Sequence, residues 1–120
     1  MRNIKYRGRK INTTLWITGN LAYIKDDRGT CGLIVDNHAL HIVDLESVGQ
    51  FTGMKDINGI DIYEGDLVDR EDSFGDKYPA GEIVYDEDFA MFCFKDDAPN
   101  NLKMHNYKLE VVGKTYDRIN

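Results

Sequence analysis

Apolar residues along this chain recur mainly at every second position, in short runs broken by Gly, Asn and Asp. That period suits a half-buried strand, whose successive side chains point to opposite faces. The first fifty residues predict four strands. Residues 13–18 are β-branched and aromatic, Gly19-Asn20 reads as a two-residue turn, and 21–25 reads as the next strand. After the Asp26-Asp27-Arg28-Gly29 turn, strands are predicted at 30–35 and 39–43, with Asp36-Asn37 between them. Turn signals at this spacing predict a meandering antiparallel sheet.

The middle of the chain has more punctuation. An extended piece over 48–53 ends in glycine, and Asn58-Gly59 is a hairpin pair that should fold 60–63 back onto the strand before it. Glu64-Gly65-Asp66 is a further turn, followed by a strand over 67–70 and a polar loop over 71–80 that holds Pro79. Strands are then predicted at 81–85, 89–94 and 107–113, with a loop over 96–101. The run 89–94 is apolar throughout, as in a strand covered on both faces.

No ten-residue window carries a 3.6-residue apolar period, so at most one or two short helices are expected, at 44–48 and 100–106. The fold class is therefore mostly β. We expect a small N-terminal antiparallel sheet over 1–47, then an SH3-like small barrel over 48–120, as two subdomains or as one integrated domain.

The run Val48-Gly49-Gln50-Phe51-Thr52-Gly53-Met54-Lys55-Asp56-Ile57-Asn58-Gly59-Ile60-Asp61-Ile62-Tyr63-Glu64-Gly65-Asp66-Leu67-Val68 resembles the signature of the YopX family of phages and prophages. The opening residues 1–8, the Gly81-Glu82-Ile83-Val84-Tyr85-Asp86 segment and residues 109–116 resemble other family segments in the same order. Met54 stands where leucine is usual, and Ile57 and Ile60 where lysines are common. Those two changes make the hairpin more apolar and suggest a contact surface. The resemblance implies a strand-rich fold, a viral origin and expression in a host cytoplasm, but no activity. Each motif residue also has a structural account. Gly59 suits a positive-φ turn, Gly53 and Gly65 suit tight corners, Phe51, Ile62 and Tyr63 suit the core, and Asp56 suits turn hydrogen bonds.

Charge narrows the partners. The net charge is −6, the reverse of the basic surplus that phosphate binding needs. Residues 1–10 nonetheless carry Arg2, Lys5, Arg7, Arg9 and Lys10 and no acid. The start lacks the apolar segment of a secretory signal, and no apolar run approaches the ~20 residues of a membrane span. A cytoplasmic location is expected, with Cys31 and Cys93 as partly buried reduced thiols.

Candidate chemistry is sparse. His38 and His41 fall on opposite faces of a strand, and with His105, Cys31 and Cys93 they show no zinc-ligand spacing, so no metal or cofactor is expected. Asp26-Asp27, Asp86-Glu87-Asp88 and Asp96-Asp97 lie in predicted turns, where aspartate ordinarily bonds the local backbone. Ser47 and Ser73 sit in no nucleophile elbow. We therefore expect no enzyme, but an accessory module that binds itself as a homo-oligomer and another protein. The alternatives are a nucleic-acid-binding small barrel using the basic N-terminal segment, an acidic mimic that occupies a host enzyme, and a small hydrolase using His38, His41 or Asp66.

Overall fold

A computed structural model describes residues 4–95, 104 and 107–119. The chain is mostly β, in antiparallel sheets, and it divides into two compact units, Met1–Phe51 and Thr52–Asn120.

In the first unit β1 (Tyr6–Arg9), β2 (Trp16–Asp26), β3 (Gly29–Val35) and β4 (Leu40–Val43) lie in the order β4-β3-β2-β1. The start of β5 (Gly49–Lys55) lies beside β1 through the pairs Tyr6↔Gln50 and Arg7↔Gly49. The sheet bends round on itself. Lys10 bridges to Val43, Ile11 N donates to Ile42 O, and Asp44 N donates to Arg9 O, both at 3.0 Å. The helix expected at 44–48 is a single 3-10 turn, Leu45–Ser47, capped by the Asp44 carboxylate on Glu46 N.

One expectation fails here. Gly19-Asn20 is not a turn, because β2 runs straight through it and Gly19 pairs with Tyr6 while Asn20 pairs with Val35. The reason is steric. A Cβ on Gly19 would lie 2.2 Å from the carbonyl oxygen of Val35, so glycine permits close backbone approach in mid-strand. Gly8 and Gly32 play a related part, since Cβ atoms there would meet Val43 at 2.9 Å and Leu45 at 2.7 Å. Three glycines thus face the tight, curled interior occupied by the fully buried Ile34 and by Val43.

The second unit holds the rest of β5, β6 (Asp61–Tyr63), β7 (Asp66–Glu71), β8 (Lys77–Asp86), β9 (Met91–Phe94), β10 (Lys108–Lys114) and a one-turn helix α1 (Thr115–Ile119). The predicted hairpin forms, with β6 beside β5. The other strands make a four-stranded sheet in the order β10-β7-β8-β9. Its core gathers Ile62, Val68, Ile83, Cys93, Phe94, Met104 and Leu109.

The expected small barrel does not close. Three-residue β6 goes to β5, and four strands are too few to tilt round into a cylinder about a filled interior. The polar loop is also shorter than its composition suggests, because β8 already begins at Lys77. Pro79 is tolerated in that strand at a bulge. The register of β7 against β8 shifts between Val68 and Arg70, so a residue without an N–H needs no partner there. Phe89 and Ala90 leave the predicted 89–94 strand for the turn before β9, where Ala90 has φ 51°. The loop at 96–101 and, Met104 apart, the helix expected at 100–106 lie outside the described residues.

Candidate functional site

The motif residues form a scaffold. Gly49 and Gln50 pair with β1, and Phe51 donates its N–H to Lys5 O while the Lys5 ammonium sits 4.7 Å above its ring. Thr52 Oγ1 donates to Ile62 O and accepts from Met54 N, which ties the two hairpin strands together. Gly53, Gly59 and Gly65 all take positive φ, at 88°, 79° and 93°. Only glycine adopts such angles without strain. Ile62 and Asp66 are fully buried, Tyr63 nearly so, and Asp66 Oδ2 accepts Tyr63 N at 2.8 Å across the Glu64-Gly65 turn.

Asp56 does the most. Its Oδ1 accepts from Asn58 N at 2.8 Å and Ile60 N at 2.9 Å, which shapes the hairpin loop. Its Oδ2 reaches Val111 N at 3.0 Å, and the next residue's N–H, Ile57 N, donates to Leu109 O at 2.9 Å. The loop therefore covers the outer edge of β10 with one acceptor and one donor, as a neighbouring strand would. Burial raises the Asp56 carboxyl pKa, but the three N–H donors outweigh it and hold the group below its ordinary value.

Beside this loop lies a groove of about 410 Å³, lined by Ile57, Asp69, Arg70, Glu71, Lys77, Tyr78, Pro79, Lys108 and Glu110. Strand register orders its charges. Glu71 stands opposite Lys108 on one side and Lys77 on the other. Two pairs along, on the same face, Asp69 and Glu110 stand directly opposite each other, a like-charge placement that disfavours the bare sheet and suits a cationic visitor. Exposed Ile57 supplies an apolar edge. Arg70 occupies the core-facing side of β7 with Val68, its guanidinium 4.3 Å from the Phe94 ring centre, 5.3 Å from Tyr78 and 5.5 Å from Tyr107. The Tyr78 hydroxyl donates to Asp72, and that bond raises the Tyr78 pKa. Sequence reasoning missed this groove and its caged arginine. The signal was available, since alternation along β7 puts Arg70 on the same face as Val68.

The other candidates do local work. Asp26 Oδ1 bonds Arg28 N, and Asp86 Oδ1 bonds Asp88 N and Phe89 N, as turn aspartates do. Ser47 accepts Arg9 N and is buried, while Ser73 is exposed in the β7–β8 loop. Cys93 is buried and Cys31 half-buried, and neither is in a disulfide. In the basic segment Arg7 is 6% exposed with its guanidinium over Trp16 at 5.0 Å, and Arg9 Nε donates to Thr13 O. Arg2, His105, Asp96 and Asp97 lie outside the described residues. Among the described residues no three His, Cys, Asp or Glu side chains are placed to hold a metal ion, and no helix is long and apolar enough to cross a membrane.

His38 and His41 also part company. His38 is exposed, its N–H bound to Asp36 Oδ1 together with that of Ala39, while His41 Nε2 lies 2.9 Å from Asp36 Oδ2. Those two backbone donors, and then His41, draw the Asp36 carboxyl down from 3.8 to about 2. A folded pKa below the unfolded one stabilises the fold above the unfolded value, and the contribution fades as pH falls from about 4 towards 2. A carboxyl-detected NMR titration should place the Asp36 midpoint well below that of an exposed turn acid, and Ala39→Pro should raise it by removing a donor.

These features define a small, mostly-β protein of two antiparallel units, with a glycine-punctuated hairpin and its buried aspartates organising the second. A family model described as YopX protein matches residues 5–119, nearly the whole chain. The chain belongs to the YopX family. No curated protein matches it.

Proposed function

We propose that this chain is a phage or prophage accessory protein that works in the host cytoplasm by binding, to another protein and to itself, and catalyses no reaction. The observation that carries the reading is the groove on the second unit. It combines an apolar edge at Ile57 with the ordered rows Lys77–Glu71–Lys108 and Asp69–Glu110. Two signs of charge at fixed spacing give a partner register and orientation, which is what recognition requires of a surface. Pull-down from host lysate at low and at physiological salt should retain a partner, and Lys77→Gln with Lys108→Gln, which removes both cations without setting like charges opposite Glu71, should release it while the fold stays intact. A partner held equally by both proteins would remove the groove from the reading.

A second reading is favoured by the charge of this unit. Residues 52–120 carry sixteen Asp and Glu against eight Lys and Arg, whereas residues 1–51 carry five against seven. An acidic surface of this kind suits a basic nucleic-acid enzyme as target. Competition between the chain and DNA for the retained partner would distinguish it. The nucleic-acid reading draws less support, because Lys5, Arg7 and Arg9 are engaged with Phe51, Trp16 and Thr13.

A further inference from the structure

We infer that the outer face of β2, β3 and β4 is the surface through which two copies of this chain pair. Register places Ala22, Leu33 and Ile42 in one row across the three strands, and Ile11 extends that row by its hydrogen bond to Ile42. Ile24 and Leu40 lie on the same face, two residues along their strands. This face points away from the curled interior, where Val43 and Ile34 meet the glycines. Leu33, at the middle of the row, is buried, but four large aliphatics round it are left in water, with Leu40 66% exposed, Ile24 53%, Ile11 50% and Ile42 48%.

Chemistry selects the occupant. No charged residue stands on this face between the Asn20↔Val35 and Ile24↔Cys31 pairs, so a charged partner finds no counter-charge. A second copy brings the same uncharged aliphatic rows. The rim is self-complementary, since the β2–β3 turn holds Lys25 and Arg28 beside Asp26 and Asp27. A twofold axis can therefore set each cation against an acid of the other copy. The exposed aliphatics amount to roughly 300 Å² per copy, in the range of the largest apolar patch that a monomer carries, which is often functional. A standard interface buries about 800 Å² per partner, so the polar rim must supply the larger part of the contact. The first unit is also the half without the acidic excess, so pairing through it sets no strongly acidic surface against its own copy.

This inference rests on the self-association part of the proposed function, and one experiment separates the two. Sedimentation of the full chain from micromolar to millimolar concentration would be compared with Ile42→Thr and with the double variant Leu40→Gln and Ile42→Thr, which remove apolar area without adding charge. Ile60→Thr, on the hairpin of the second unit, serves as the control. The wild type and Ile60→Thr should dimerise alike, and the dissociation constant should rise at least about tenfold in the double variant. Far-ultraviolet circular dichroism checks that the strands remain. If a variant unfolds, concentration-dependent amide shifts in the wild type replace it, and they must map to Ile11, Ile24, Leu40 and Ile42. A dimer unaffected by the variants, or shifts elsewhere, overturns the face while self-association stands. A wild type monomeric throughout overturns both.

Discussion

Gly19→Ala should unfold at markedly lower denaturant than the wild type, with a loss of about 3 kcal/mol or more. The added methyl would lie 2.2 Å from Val35 O and 2.9 Å from Val35 C, and both are backbone atoms of the paired strand. A side chain can rotate away from such an intrusion, but a hydrogen-bonded strand cannot move alone. Opening β2 from β3 at Asn20↔Val35 would also disturb Leu21↔Ile34, and Ile34 is fully buried. Gly53→Ala is the useful contrast. Its Cβ would meet nothing within 4 Å, so only the positive φ of 88° resists the change, at about 1 kcal/mol. Urea unfolding of the two variants should rank them in that order. A Gly19→Ala protein within about 1 kcal/mol of wild type would show that the first unit is not held by this close approach.

The same glycine marks where the sequence misleads. Gly19-Asn20 has the composition of a hairpin turn, and with Trp16, Ile17, Leu21, Ala22, Tyr23 and Ile24 apolar on both faces, no alternation across it distinguishes a turn from a continuous strand. Asn58-Gly59 carries the same two residue types in the opposite order and does turn, with Gly59 N donating to Asp56 O. What separates the two is the carboxylate three residues before Gly59, and that was legible.

Closure was not legible. The strand lengths after Phe51 allow a barrel or an open sheet, and the choice depends on which neighbour three-residue β6 takes. Such pairing is set by long-range packing that no local pattern encodes. The curl of the first unit was hidden for the same reason, since it rests on the Lys10–Val43 bridge and the flanking hydrogen bonds of Ile11 to Ile42 and of Asp44 to Arg9. Helix α1 has five residues, too few for any period to show. The groove falls between these cases. Its residues come from three strands and a hairpin loop, so alternation could place Arg70 inward but could not bring Lys77, Glu71 and Lys108 into one row.

Asp56→Ala should be the most damaging change in the second unit, at about 3–5 kcal/mol. The carboxylate is 6% exposed and satisfies three backbone N–H groups, of Asn58, Ile60 and Val111. Removing it leaves those donors to find water in a site that admits little, and hydrogen bonds to a charged group are each worth more than neutral ones. The effect would not stay local. With Val111 N unbonded, the edge of β10 loses half of the cover that the hairpin loop supplies, and an uncovered edge invites strand pairing between molecules. Asp56→Asn keeps one acceptor oxygen and should fall between wild type and alanine. The pH dependence has a definite sign. The folded pKa lies below 3.8, so the contribution of Asp56 is full above that value and is lost as pH falls through the folded pKa. Urea unfolding of wild type and Asp56→Ala should therefore differ most near neutrality and converge in acid. A difference that persists undiminished below the folded pKa of Asp56, as located by a carboxyl-detected titration, would mean that its charge is not what holds the loop to β10.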